Sequence, residues 1–204
     1  MLTREPDVAL RCGDLEFSDG EQTYSLADLC KVTGPLGLDA ESLAAALNVP
    51  LAQLEGWVAG EEMPPAKIIG QLRRGVAANT VDVAVLGSAW ANKPIIAPRR
   101  PWVPVFRPQG RFRLPLNVEW SGTADTRWRN ADEQRSVDWA YELVIHEGGA
   151  GDIVRWIDPM HLVSRLRPAR TGSEGLPEIP PVFLDRYRRE LWPKHLLELG
   201  YPKV

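Results

Sequence analysis

Apolar residues recur at helical spacing between residues 39 and 75, and this pattern predicts three helices that follow one another closely. Asp39 is a suitable N-cap for the first helix, and Asn48 tolerates the left-handed backbone that a sharp reversal needs. Gly60 is placed to end the second helix, and Pro64-Pro65 can open the third. The three apolar faces are Leu43, Ala44 and Leu47, then Leu54, Trp57 and Val58, then Ile68, Ile69 and Leu72. Two helices that cross at a turn of about three to four residues are typical of a helix-turn-helix unit.

The residues before this stretch predict one more helix and two short strands. The segments Val8–Arg11 and Leu15–Phe17 are predicted as strands. Ser25 is followed three residues later by Asp28, which predicts a capping box at the start of a helix over Leu26–Val32. This helix would be the first of the same bundle.

After Gly75 the period of the pattern changes. Alternation between residues 81 and 86 predicts a half-buried strand. Residues 87–110 contain five prolines, which exclude a helix and favour an extended linker or arm. Two tryptophans in this arm, Trp90 and Trp102, either pack back onto a domain, stack on bases or anchor a partner, and packing is favoured. Alternation returns in Arg111–Pro115 and Leu116–Trp120, which predicts a strand opening the second part of the chain.

From residue 130 onward the pattern is again helical. The predicted boundaries are an N-cap pair at Asn130 and Glu133, a stop at Gly148-Gly149, and new helix starts at Asp152 and Asp158. Residues 167–180 are predicted to be a loop, and residues 181–199 a last helix that Gly200 ends.

These elements predict a mainly α fold with short β segments. An N-terminal helix-turn-helix bundle would be joined to a helical C-terminal domain that a short strand opens. The predicted parts are an N-terminal extension (1–24), the helix-turn-helix domain (25–75), a strand with a Pro/Arg-rich linker arm (76–113), and the C-terminal domain (114–204).

Composition places the chain among ordinary globular proteins, since 44% of its 204 residues are hydrophobic and 25% are charged. No apolar run approaches the roughly 18 residues of a membrane span, and the N-terminus has no signal-peptide pattern. The two cysteines, Cys12 and Cys30, have no metal-ligand spacing. We therefore expect a cytoplasmic protein with reduced thiols, with a disulfide as the less favoured alternative.

The charges are distributed unevenly along the chain. Residues 1–72 contain twelve acidic and four basic residues, whereas residues 73–204 contain twenty basic and fifteen acidic ones. No acidic residue occurs between Asp82 and Glu119, although six basic residues do. Attraction to a polyanion is therefore expected from this middle stretch.

Catalytic patterns are lacking in the sequence. The three histidines, His146, His161 and His195, lie far apart and have no metal-ligand spacing. The glycines at 148, 149 and 151 are followed by an acidic residue, which would repel a phosphate rather than bind it. We expect no enzyme activity, no metal ion and no cofactor.

The segment LAAALNVPLAQLEGWVAGEEMP resembles the Xre-type (Cro/repressor-like) helix-turn-helix in its small residue, its turn and its aromatic and glycine positions. The resemblance implies that a homodimer binds a double-stranded DNA operator through the second helix. Gln53 is the one obvious base reader on that helix, because its amide can bridge adenine in the major groove. Glu55, Glu61 and Glu62 nearby would oppose binding. The expected DNA-binding residues are Ala52, Gln53, Gly56, Lys67, Arg73, Arg74, Arg99, Arg100, Arg111 and Arg113.

The stretches LPLNVEWS (114–121) and 128–166 resemble the C-terminal half of a group of actinobacterial Xre-type regulators. Those regulators tend to be encoded beside abortive-infection-type nucleotidyltransferase toxins. The resemblance implies an antitoxin that represses its operator and neutralises a partner toxin by stoichiometric binding. The expected partner-binding residues are Arg127, Trp128, Arg129, Trp139 and Trp156. The alternative hypothesis is a phage- or defence-related adaptor whose helix-turn-helix is a scaffold that does not read DNA, which the acidic N-terminal balance favours.

Overall fold

The computed structural model describes residues 15–123, 125–166 and 184–202, and this part of the chain is mainly helical with a few short strands. The fold class predicted from the sequence is confirmed at that level. The helices are α1 (Leu26–Leu29), α2 (Ala40–Leu47), α3 (Leu51–Ala59), α4 (Ala66–Ala77), α5 (Gln134–Glu147), α6 (Ala150–Trp156), α7 (Pro159–Leu166) and α8 (Arg186–Glu198). The strands are β1 (Glu16–Ser18), β2 (Thr23–Ser25), β3 (Val83–Ser88), β4 (Pro94–Pro98), β5 (Arg111–Phe112) and β6 (Arg129–Asn130). They form the antiparallel pairs β1–β2, β3–β4 and β5–β6.

The local signals around α2 and α3 are confirmed. The Asp39 carboxylate accepts a hydrogen bond of 2.8 Å from the Ser42 amide and so caps α2. Asn48 ends α2 in the left-handed conformation, with φ 58° and ψ 46°. Gly60 ends α3 in the same region, with φ 79°. Ser25 and Asp28 form the predicted capping box, although α1 ends at Leu29 rather than at Val32.

Three predictions after residue 115 are wrong, and one of them is the helix start at Asp152, since α6 begins at Ala150 and Asp152 lies in its first turn. Asn130 does not cap a helix, because it pairs with Arg111 in the β5–β6 ladder, and α5 begins only after Glu133. The segment Leu116–Trp120 is not a strand. It contains a turn in which the amide of Val118 donates to the Pro115 carbonyl at 3.0 Å. The predicted strand Val8–Arg11, the predicted loop 167–180 and Cys12 lie outside the described residues.

The proline-rich segment is part of the core rather than a solvated arm. The Trp102 indole nitrogen donates to the Ile157 carbonyl at 2.9 Å, and the Phe106 amide donates to the Arg155 carbonyl at 2.9 Å. Phe106 also packs on Trp156 with ring centres 5.0 Å apart. The alternative in which Trp102 packs is therefore confirmed, and the free-arm interpretation is wrong for residues 102–106.

Arg155 joins α6 to the N-terminal helices. Its buried guanidinium donates to the Gly75 carbonyl at 2.8 Å and to the Asp152 carboxylate at 3.1 Å, and it also bonds the Asn79 side chain. Gly75 also lets Leu36 and Phe106 pack closely against α4, because a Cβ there would lie 3.3 Å from Leu36 and 3.4 Å from Phe106. The buried apolar cluster is consequently continuous from β1 to α8, across the predicted boundaries at 75 and 113. The division of the chain into domains at residues 75 and 113 stays a prediction.

The longest helices described here do not combine the length and apolar character that crossing a membrane requires.

Candidate nucleic-acid interface

A basic groove runs between α3, α4 and the segment 103–109, with a volume of about 690 Å³. Three cationic side chains, Lys67, Arg74 and Arg107, line it, and no described residue of its lining is acidic. The remaining polar side chains of the lining are the amides Asn48, Gln53, Gln71 and Gln109. Cations combined with amides suit the phosphates and base edges of a nucleic acid.

Two of these amides hold the groove's outer wall in place. The Asn48 side chain donates to the Arg107 carbonyl at 2.8 Å and accepts from the Gln109 amide at 2.6 Å. The Gln71 side chain donates to the Val105 carbonyl at 2.8 Å. Asn48 therefore has two roles, since it adopts the left-handed turn conformation and also fixes the segment that carries Arg107.

The residues predicted on α3 and α4 partly come together. Gln53, Lys67 and Arg74 line the same groove, and Ala52 is exposed next to Gln53. Arg73 is exposed on α4 but is not among the residues that line the groove. Gly56 lies beside an acid, because a Cβ on it would be 3.4 Å from Oε2 of Glu61.

The four predicted arm arginines do not extend this groove. Arg99 is exposed and donates to the Val83 carbonyl at 3.0 Å. Arg100 faces Asp82 at 3.4 Å, and Arg111 stacks on Trp128 with its guanidinium carbon 4.9 Å from the ring centre. None of these side chains lines the groove, whereas their neighbour Arg107, which the sequence prediction omitted, does.

Arg113 cannot contact DNA, so that part of the prediction is wrong. Its side chain is buried, with 4% of the residue exposed. Nη2 lies 2.8 and 2.7 Å from the two Asp39 carboxylate oxygens, and Nε donates to the Ser42 hydroxyl at 2.9 Å. Burial opposes ionisation of Asp39, but the hydrogen bonds from Ser42 and the charge of Arg113 outweigh it and lower the Asp39 pKa. Arg113 thus joins β5 to the capped end of α2.

Four of the five predicted partner-binding residues lie on or next to β6. Arg129 stacks on Trp139, with its guanidinium carbon 3.9 Å from the ring centre, and pairs with the buried Glu119 at 2.5 Å. Arg127 donates to the Glu119 carbonyl at 3.2 Å, and Trp128 stacks under Arg111. Burial raises the Glu119 pKa, against the lowering effect of the charges on Arg129 and Arg127. We name Arg127, Trp128, Arg129, Trp139 and Glu119 the tryptophan–arginine cluster.

Trp156 is predicted to bind a partner, and this prediction is wrong because its side chain is buried. Trp156 is 6% exposed and packs between Phe106 and Phe112, with ring centres 5.0 and 6.3 Å away. Trp139 is 37% exposed, and Trp120, which the prediction omitted, is the most exposed of the large hydrophobic residues described. Strand alternation would place Trp120 on the same face as the buried Val118, so the sequence pattern does not indicate that Trp120 is exposed.

No described cluster of three or more histidine, cysteine, aspartate or glutamate side chains is arranged to hold a metal ion. Comparisons with family models, with curated proteins and with solved structures found no match to this chain.

Proposed function

We propose that this protein is a cytoplasmic DNA-binding regulator in which α2 and α3 act as an Xre-type helix-turn-helix. The observation that supports the proposal best is the basic groove, where three cations and four amides meet without a carboxylate in the described lining. Phosphate contacts supply a large share of the affinity of DNA-binding proteins, and lysine and arginine side chains are their main source of positive charge.

Four residues of the groove contact DNA in this proposal. Gln53 lies in the first turn of α3 and reads a base edge, and Lys67 and Arg74 on α4 contact phosphates. Arg107 adds a third phosphate contact from the opposite wall. Its guanidinium is 3.4 Å from the Asp158 carboxylate, but the side chain is 65% exposed, so solvent weakens this pair and a phosphate can compete for it. A homodimer would bind two half-sites of an operator.

The C-terminal part is proposed to bind a partner protein, as expected for the antitoxin of a toxin–antitoxin pair. Trp120 is 74% exposed, and Trp139, on which Arg129 stacks, is 37% exposed. Tryptophan and arginine are the side chains most often found at the energetic centre of protein interfaces. Neutralisation would be stoichiometric and would need no chemical step.

The DNA part is tested by fluorescence anisotropy on the protein's own upstream DNA and on a scrambled duplex, at about 50 and 200 mM salt. Arg107→Gln and Lys67→Gln should each weaken binding to both duplexes and reduce the salt slope by about one. Arg135→Gln, which removes an exposed charge on α5 outside the groove, is the matched control and should change neither. An absence of salt-sensitive binding at any concentration below about 10 μM would contradict the proposal.

One observation favours the adaptor hypothesis instead. The Glu61 carboxylate lies beside Gly56, in the middle of the proposed reading helix. The backbone amide of Glu61 donates to the Gly56 carbonyl at 2.9 Å. A fixed negative charge there opposes phosphate approach. If the adaptor hypothesis is right, Glu61→Gln will leave DNA binding undetectable, and affinity purification without DNA will retrieve a partner that Trp139→Ala releases.

A further inference from the structure

Two of the three cations in the basic groove have no partner in the part of the chain that the structure describes. Lys67 and Arg74 form neither an ion pair nor a side-chain hydrogen bond there. Arg113, by contrast, pairs with Asp39 at 2.7 Å. Acidic residues are not scarce, since the chain has 27 of them against 24 basic residues. Unpaired cations that line one concavity concentrate positive potential inside it.

The groove has the size of a small-molecule site and is preformed. Its volume of about 690 Å³ lies within the range of about 300 to 1,000 Å³ that such sites occupy. The side chains of Asn48 and Gln71 bond the backbone of the segment 103–109 and so hold the outer wall. Apolar side chains, among them Ile68 and Val105, form much of the remaining lining. Walls of low dielectric strengthen the attraction between the cations and an anion inside the groove.

The lining has no exposed aromatic surface on which bases could stack. Trp57 is the one aromatic residue of the described lining, and it is 2% exposed. Proteins that hold single-stranded nucleic acids combine a positive groove with aromatic side chains that stack on successive bases. An occupant of this groove is therefore held by its negative charge rather than by stacking.

The third cation, Arg107, already holds an anion that a ligand can replace. Its guanidinium lies 3.4 Å from Oδ2 of Asp158, and the two side chains are 65% and 31% exposed. Such an exposed pair contributes little, because water competes for both partners. Asp158 is anchored independently, since its Oδ1 accepts hydrogen bonds from the amides of Met160 and His161 at 3.0 and 3.3 Å. Arg107 can therefore exchange this carboxylate for a phosphate without loss of the cap on α7.

We propose that the groove binds the phosphate chain of a free polyphosphate, either a nucleoside triphosphate or inorganic polyphosphate, which competes with DNA for the same three cations. Lys67 and Arg74 are separated by two turns of α4, about 10 Å along the helix axis, and Arg107 lies on the opposite wall. A row of phosphates matches cations spread in this way better than a single phosphate does. The competition rests on the function proposed above, whereas binding of the free ligand does not.

Isothermal titration calorimetry of the full chain tests the site in the absence of DNA and divalent cations. The ligands are ATP, inorganic tripolyphosphate and AMP at about pH 7.5 and about 50 mM salt. We expect ATP and tripolyphosphate to bind with a Kd of about 0.1 mM through three charge-assisted contacts. AMP has one phosphate and should bind at least about tenfold more weakly. Tighter binding of ATP than of tripolyphosphate assigns the ligand to nucleotides, and the reverse assigns it to inorganic polyphosphate.

Four substitutions distinguish the groove from general attraction to positive charge. Lys67→Gln and Arg74→Gln should each weaken tripolyphosphate binding by about tenfold. Arg73→Gln is the matched control and should leave the Kd unchanged, because Arg73 is exposed on the same helix but does not line the groove. Asp158→Asn should tighten binding by about two- to fivefold, since asparagine still caps α7 but no longer competes for Arg107.

The proposal is overturned if tripolyphosphate does not bind, if AMP binds as tightly as ATP, if Arg73→Gln weakens binding as much as Arg74→Gln, or if Asp158→Asn does not tighten it. Competition is measured by adding tripolyphosphate to the complex with upstream DNA and following anisotropy, with sulfate at the same ionic strength as the control. Tripolyphosphate should release the DNA, and a complex that it leaves intact at saturation would overturn the shared use of the groove. Absence of DNA binding would contradict the function proposed above, and the titrations without DNA would still decide the ligand site.

Discussion

The ion pair between Arg113 and Asp39 joins the end of β5 to the start of α2. Its removal should lower the stability of the folded protein by an amount that the structure lets us predict. Arg113→Met keeps most of the aliphatic stem but removes the guanidinium that bonds Asp39 and Ser42. Hydrogen bonds to charged groups contribute about 1.5 to 3 kcal/mol, and the lost cation–π contact with Trp128 adds about 0.5 to 1 kcal/mol. We expect the free energy of unfolding to fall by about 2 to 3 kcal/mol.

The estimate stays below the about 3 to 5 kcal/mol that breaking a fully buried pair costs, because the Asp39 side chain is 43% exposed and can regain water. Arg111→Met is the matched control, since Arg111 stacks on the same Trp128 ring at 4.9 Å but is exposed. It should cost less than about 1 kcal/mol. Urea unfolding of the three proteins measures these differences directly.

A double-mutant cycle identifies the pair itself as the cause. Asp39→Ser removes the charge but keeps a good N-cap for α2, and its coupling energy with Arg113→Met should be about 1 kcal/mol or more. Because the Asp39 pKa is lowered in the folded protein, the stabilisation is present above the ordinary value of 3.8 and is lost as the pH falls through the folded-state pKa. The effect of Arg113→Met should therefore shrink in acid. Equal destabilisation by Arg111→Met and Arg113→Met would refute the reasoning.

Three further substitutions test the protonation of His146 and the packing at two glycines. Burial lowers the pKa of His146 below 6.5, so the unfolded chain takes up the proton first and stability falls as the pH drops through 6.5. His146→Gln should therefore flatten the loss of urea stability between about pH 7 and 5, and an unchanged slope would contradict this. Gly151→Ala should destabilise by about 2 kcal/mol or more, since the new Cβ would lie 2.5 Å from the Ala78 carbonyl oxygen. Gly70→Ala, with no contact closer than 3.9 Å, should instead stabilise α4 by up to about 1 kcal/mol, and thermal melts that rank the two alike would disprove the packing argument.

The elements that the sequence predicted correctly are those specified by neighbouring residues. The N-cap at Asp39, the left-handed turn at Asn48 and the helix end at Gly60 each depend on one side chain and the next few peptide groups. The aspartate cap at Asp158 is of the same kind, because its carboxylate accepts from the Met160 amide at 3.0 Å. Such signals can be read without knowledge of the tertiary structure.

The wrong predictions depend on contacts between residues far apart in the chain. Prolines between 87 and 110 correctly excluded a helix, but they do not distinguish a solvated arm from an extended segment inside a core. The partner of Arg113 is 74 positions away, so its charge was read as surface charge. Asn130 has the composition of an N-cap, but pairing with Arg111 decides its conformation. Tertiary contacts decide the structure in all three cases.

The part of the candidate site that lies on predicted helices could be predicted from the sequence, and the part positioned by a distant contact could not. Gln53, Lys67 and Arg74 lie on adjacent helices whose order was read correctly, so their meeting in one groove followed from the helix pattern. Arg107 is one of the six basic residues between Asp82 and Glu119, and the sequence does not single it out. It reaches the groove because Asn48, 59 positions earlier, bonds its backbone carbonyl, and no sequence pattern indicates that bond.

The segment 103–109 separates the basic groove from a cavity of about 260 Å³ that faces α5, α6 and α7, since Pro104 and Arg107 line both. Its backbone is held from the groove side by Gln71 and from the cavity side by amides of residues 105 and 106, which donate to carbonyls of α6 at 3.2 and 2.9 Å. A wall bonded on both faces does not shift easily, so the backbone of this segment gives the groove a defined shape. The Arg107 side chain is the exposed and weakly paired part of the wall. The part of the wall that can respond to a bound phosphate is therefore the Arg107 side chain rather than the backbone that carries it.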